Sequence, residues 1–158
     1  MTEQVTHGGG GTADLNRIAF SATTHCLTGC AIGEILGLAI ASALDWRNLP
    51  SIVLAVVLAF FFGYSLTLVP LLRSRIGLSQ ALPLAFASDT VSIAVMELVD
   101  NAIVLVIPGA MAAGLGDALF WGSLAVALAI AFVAAFPVNR FLIARGKGHA
   151  VVHSRHGY

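Results

Sequence analysis

Two stretches of the chain set cation-binding groups at helical spacing inside segments otherwise suited to lipid. In THCLTGCAIGEILG, Cys26, Cys30 and Glu34 recur every fourth residue, so on a helix they climb one face, each ~40° round from the last. In SDTVSIAVMELVDN, Asp89, Ser92, Ile93, Met96 and Asp100 share a second face, with Glu97 and Asn101 at its edge. His25 sits on the far flank of a neighbouring ridge of glycines, one turn below Gly29. Sulfur and carboxylate side chains are thus gathered on two helix faces, and no Lys or Arg accompanies them at that depth.

A charged side chain at membrane depth costs ~2.5–3.5 kcal/mol by insertion scales. Glu34, Asp89, Glu97 and Asp100, without a base among them, therefore require protonation, a solvated cavity or a bound cation. Thiolate and thioether favour Cu(I) or zinc-like ions, whereas an alkali or alkaline-earth site uses oxygen alone. Ligands four apart on a helix can grip one ion, as the two histidines of H-E-x-x-H do. A Cys26–Cys30 disulfide is disfavoured, because Cβ atoms ~5–6 Å apart on a regular helix exceed the separation it wants.

Plainer roles exist for each residue. Cysteine in an apolar helix ordinarily behaves as a small hydrophobe, and Met96 alone reads as packing. The acids could form a satisfied polar network that fixes helix pairing, although four acids and no base favour function. Gly29, Gly33 and Gly37 form a GxxxG-type ridge that lets another backbone approach closely.

The elements that position these groups follow from hydropathy. The 158 residues are 58% hydrophobic and 10% charged, with mean hydropathy +0.92, which indicates one integral membrane domain. Four spans are expected, at about 22–44, 49–72, 81–107 and 118–143, making an all-α four-helix bundle over 22–143. Residues 1–21 read as a mobile tail with neither a signal-peptide start nor an apolar core, and 144–158 as a cytoplasmic tail. Spans two and four, rich in Leu, Val, Ala and Phe, read as scaffold. Arg17, Arg73, Arg75, Arg140, Arg145, Lys147 and Arg155 fall on one side and Arg47 on the other, which places both termini in the cytoplasm.

Spans one and three then run in the same direction, so depths can be compared. Counted from each midpoint, Asp89 lies level with Cys26 and Cys30, Met96 and Glu97 level with Glu34, and Asp100 farther out. In the tail, His149, His153 and His156 would share a helical face and could capture a metal, though a histidine-bearing tail without structure is the plainer reading. His7 has no assigned role. The net charge of zero and the absence of a basic stripe give no reason to expect a nucleic-acid partner.

The sequence resembles a family of uncharacterised bacterial and archaeal four-span membrane proteins, a domain-of-unknown-function family. The resemblance runs from about Ala22 to Ile143 and rests on HCLTGCAIGE, DTVSIAVMELVDN and FPVNRFLIARG. It implies a four-helix membrane unit and carries over no catalytic residue.

Function therefore rests on the side-chain chemistry. The leading expectation is a protein of the bacterial plasma membrane, not expected to be an enzyme, that binds or translocates a soft metal ion, copper before zinc. Its ligands would be Cys26, Cys30, Glu34, Asp89, Met96, Glu97, Asp100 and His25, and its partners the lipid bilayer, the ion and further copies of itself. The homo-oligomer would pack through Gly29, Gly33 and Gly37. Two other functions stay open: a thiol–disulfide oxidoreductase using Cys26 and Cys30 with a quinone, and proton movement through Asp89, Glu97 and Asp100. No nucleotide-binding signature is present, so transport would draw on a gradient or a partner.

Overall fold

A computed structural model describes residues 10–46, 49–73 and 77–145. Among them the fold is all helical: α1 (Gly10–Ala43), α2 (Leu49–Arg73), α3 (Leu78–Val106), a 3-10 turn (Ala110–Ala112) and α4 (Ala118–Ala144). Helices α1, α2 and α4 are each long and apolar enough to cross a membrane. Helix α3 joins them if its two parts, Leu78–Ala87 and Asp89–Val106, are taken as one span bent by 42°. Residues 10–21, expected as tail, are the first turns of α1 instead. A polar, exposed start such as Gly11 to Asp14 does not bar a helix that its buried neighbours Ala19 and Ala22 anchor downstream.

The helices follow one another round a ring, α1 on α2, α2 on α3, α3 on α4 and α4 on α1, with α1 and α3 also meeting across it. Small residues make that crossing possible. The buried stripe of α2 is Ala59, Gly63, Thr67 and Leu71, and that of α4 includes Ala127, Ala131, Ala135 and Asn139. A stripe of alanines recurring every fourth residue fills little volume, so the thicker residues of α1 and α3 reach each other between them. The resulting core holds Cys26, Cys30, Ile93 and Met96 among Ala59, Ala131 and Ala135.

The glycine ridge faces α2 of the same chain. A Cβ on Gly29 would lie 2.6 Å from the Cα of Gly63, one on Gly37 would lie 2.6 Å from the Cα of Ala55, and one on Gly33 would overlap the backbone of Ala59. The expected use of Gly29, Gly33 and Gly37 as a contact between copies is thereby corrected, because α2 already covers the ridge. Close packing was legible in the spacing. The identity of the partner was not.

Chain turns shape the end of the ring opposite the termini. After α1 the backbone enters the left-handed region at Asp45 (φ 54), and the Trp46 N–H returns to the Ala41 carbonyl at 2.8 Å. This is the Schellman closure of a helix, with Asp in the place glycine usually takes. It sets Trp46 at the mouth of the cavity described below.

Candidate functional site

The parallel run of α1 and α3 turns the two helix faces into a series of pairs. The Cys26 sulfur meets the Ser92 hydroxyl, with Asp89 close by. One turn on, the Cys30 thiol meets the Glu97 carboxyl. One turn farther, the Glu34 carboxyl is within hydrogen-bonding reach of the Asp100 carboxyl. Steps of four along α1 thus match steps of five and three along α3. The pairs follow a register other than the expected one: Asp100, expected beyond Glu34, is level with it, and Glu97 is level with Cys30. A count from straight-span midpoints does not allow for the bend in α3.

All of these groups are buried except Glu34, which is partly exposed. Glu34 Oε2, Glu97 Oε1 and Asp100 Oδ1 lie away from solvent and receive no hydrogen bond from any N–H or O–H among the described residues. Asn101, at the edge of the face, turns its Nδ2 to the Glu97 backbone carbonyl at 2.8 Å and more distantly to Glu97 Oε2 at 3.5 Å. Two carboxyls in contact, as at Glu34 and Asp100, can hydrogen-bond only when one carries a proton.

Helix α4, expected as scaffold, contributes Asn139. Its Nδ2 donates to Thr23 Oγ1 and to Ser92 Oγ, each at 2.9 Å, and Thr23 Oγ1 in turn donates to the Ala19 carbonyl at 2.7 Å. Asn139 thereby ties α1, α3 and α4 together beside the Cys26 level. Its sequence signal was the small-residue stripe of α4, which continues from Ala127, Ala131 and Ala135 onto Asn139. Asn139→Ala should lower stability in detergent by about 1–3 kcal/mol, since it leaves two buried hydroxyls without that donor. An unfolding curve coincident with wild type would show that the amide contributes nothing.

His25 is turned towards α2, with its Nε2 3.0 Å from Thr67 Oγ1. The structure thus gives it a hydroxyl neighbour on the scaffold side of α1. Tyr64 and Thr90 make a second hydroxyl contact at 2.9 Å between α2 and α3. His7, His149, His153 and His156 lie outside the described residues.

A cleft of ≈ 620 Å³ enters the ring between the end of α1, the start of α2, the end of α3, the 3-10 turn and the start of α4. Glu34 and Asp100 line it, together with Asn101, Ser123, Phe120 and Trp46. The column therefore has an open end. Its deeper members, Glu97, Cys30, Met96, Cys26 and Asp89, do not line the cleft.

Among the described residues, no group of three or more His, Cys, Asp and Glu side chains is arranged to hold a metal ion. The expected ligands are side by side in pairs rather than converging on a point. Cys26 and Cys30 are both free and buried, as their four-residue spacing on an unbroken helix implies.

The family model described as Domain of unknown function (DUF4396) matches residues 16–148. No curated protein and no solved structure matches the chain.

Proposed function

The chain belongs to the DUF4396 family, and from that premise we propose an integral membrane protein that moves protons, in exchange for a cation, along the carboxyl column between α1 and α3. The observation that carries the reading is the column itself. Acids run from an open cleft at Glu34 and Asp100 to Glu97, with Asp89 farther along the same face of α3, and neither residues 26–34 nor α3 contain a Lys or Arg. Protons can occupy such a column one at a time, and paired groups do not hinder them as they would hinder a multiply coordinated ion. Four spanning helices, cytoplasmic termini and a bacterial plasma membrane complete the proposal. The column lies within one chain, so assembly is not needed to complete it.

Purified protein in liposomes, carrying an imposed pH gradient and an interior pH dye, supplies the test. With the interior acidic and a counter-cation supplied outside, the gradient should collapse at least tenfold faster than in empty liposomes when the membrane potential is clamped. Equal rates would sink the reading.

A second reading, binding or passage of a soft metal ion, is favoured by one observation: Cys26, Cys30 and Met96 pack in a single buried cluster. Thiol and thioether groups suit Cu(I), and a cargo ion needs fewer ligands at once than a resident one. Protein purified without a histidine tag, under reducing conditions, should then bind Cu(I) and release protons as it does so, because thiols must be deprotonated to ligate. Titration without a binding isotherm removes this reading.

A further inference from the structure

The cleft at the open end of the column has the dimensions and lining of a ligand site. Its ≈ 620 Å³ is some twentyfold the ≈ 30 Å³ share of a water molecule and falls inside the ≈ 300–1,000 Å³ range of pockets for small organic molecules. A bare ion would leave it mostly empty. Its titratable lining residues are Glu34, Asp45 and Asp100, and among the described residues no Lys, Arg or His lines it. Asp100 is 3% exposed, and its Oδ1 has no N–H or O–H donor among the described residues. Trp46 and Phe120 add aromatic surface to the wall, and Ser123 and Asn101 add neutral polar groups.

We infer that the cleft binds a small organic cation, an ammonium group carried on an apolar or aromatic body. The ammonium N–H groups would fill the acceptor positions at Asp100 and Glu34. The body would lie against Trp46 and Phe120, where ring faces attract cationic and apolar groups alike. Because Glu34 and Asp100 touch, an arriving ammonium displaces the proton the two carboxyls share. One proton leaves as one cation enters, which links the cleft to the column. The inference deepens the proton-exchange reading and rests on it.

The experiment uses the full chain in lipid nanodiscs and three probes of one shape: benzylammonium, benzyl alcohol and benzoate. Titration calorimetry should give saturable binding of benzylammonium, with benzyl alcohol at least tenfold weaker and benzoate without a signal. Asp100→Asn should weaken benzylammonium at least tenfold. Ser42→Phe, an exposed position on the rim of the cleft, should block binding sterically while leaving the helical content intact, which guards against a misfolded Asp100 variant. Equal affinity for alcohol and ammonium, or benzylammonium binding unchanged in both variants, overturns the inference. If liposomes collapse a pH gradient but benzylammonium does not bind, the ligand assignment falls and proton movement stands. If benzylammonium binds but a gradient of it drives no proton movement beyond that in empty liposomes, the cleft is a binding site and the exchange reading falls.

Discussion

Gly33→Ala should lower the yield of monodisperse protein severalfold, and Gly33→Leu should lower it further. A Cβ at this position overlaps the backbone nitrogen and Cα of Ala59, atoms that no rotamer change can move. Relief requires α1 and α2 to separate. Separation also opens the neighbouring contacts of Gly29 with Gly63 and of Gly37 with Ala55, since the three lie along one ridge. Overpacking of a core by flexible side chains costs about 1–3 kcal/mol, and displacing one backbone from another belongs at or above the upper end. Against a stability of ~5–15 kcal/mol, that is enough to lower the yield of monodisperse protein severalfold. Gly122→Ala is the control, because a Cβ there meets nothing within 4 Å. Comparable yield and unfolding midpoint for Gly33→Ala and Gly122→Ala would mean that the two helices are not held by this approach.

Why the ridge was legible but its partner was not is a matter of what spacing encodes. Three glycines four residues apart specify that a backbone comes close, and nothing in α1 says whose. The answer lay in α2, where Ala55, Ala59 and Gly63 repeat the same period. The cysteines and acids were legible for a similar reason: polar groups at period four in an apolar stretch identify a helix face and imply a facing element. Their register was not legible, since it depends on the bend in α3, and pairing of Cys30 with Glu97 and Glu34 with Asp100 follows only once that is known. Asn139 is not legible from local spacing, because one amide near the end of an apolar span carries no sign of a buried partner. Its partners Thr23 and Ser92 are 116 and 47 residues away in the chain. The cleft was beyond the sequence altogether, as it is enclosed by the ends of four helices and a 3-10 turn.

Glu97→Gln and Cys30→Ser separate the two readings of the column, because the same pair of residues serves each in a different way. Glu97 is 5% exposed and is the carboxyl that meets Cys30, one turn inward from the Glu34–Asp100 pair. Under proton movement it is the step between the cleft and the Cys26 level, and an amide there cannot take up and release the proton a carboxyl does. Glu97→Gln should therefore slow gradient collapse in liposomes at least tenfold. Cys30→Ser should slow it little, since a hydroxyl still hydrogen-bonds to Glu97 and fits the space of the thiol. Soft-metal passage predicts the reverse order. A serine oxygen is a poor ligand for Cu(I), so Cys30→Ser should weaken binding by an order of magnitude or more, while Glu97→Gln keeps both sulfurs and most of the affinity. Measuring both variants in both assays gives four numbers whose pattern is unlike for the two functions. If neither variant changes either quantity, the contact between Cys30 and Glu97 serves packing alone, and the column is not a path for any cation.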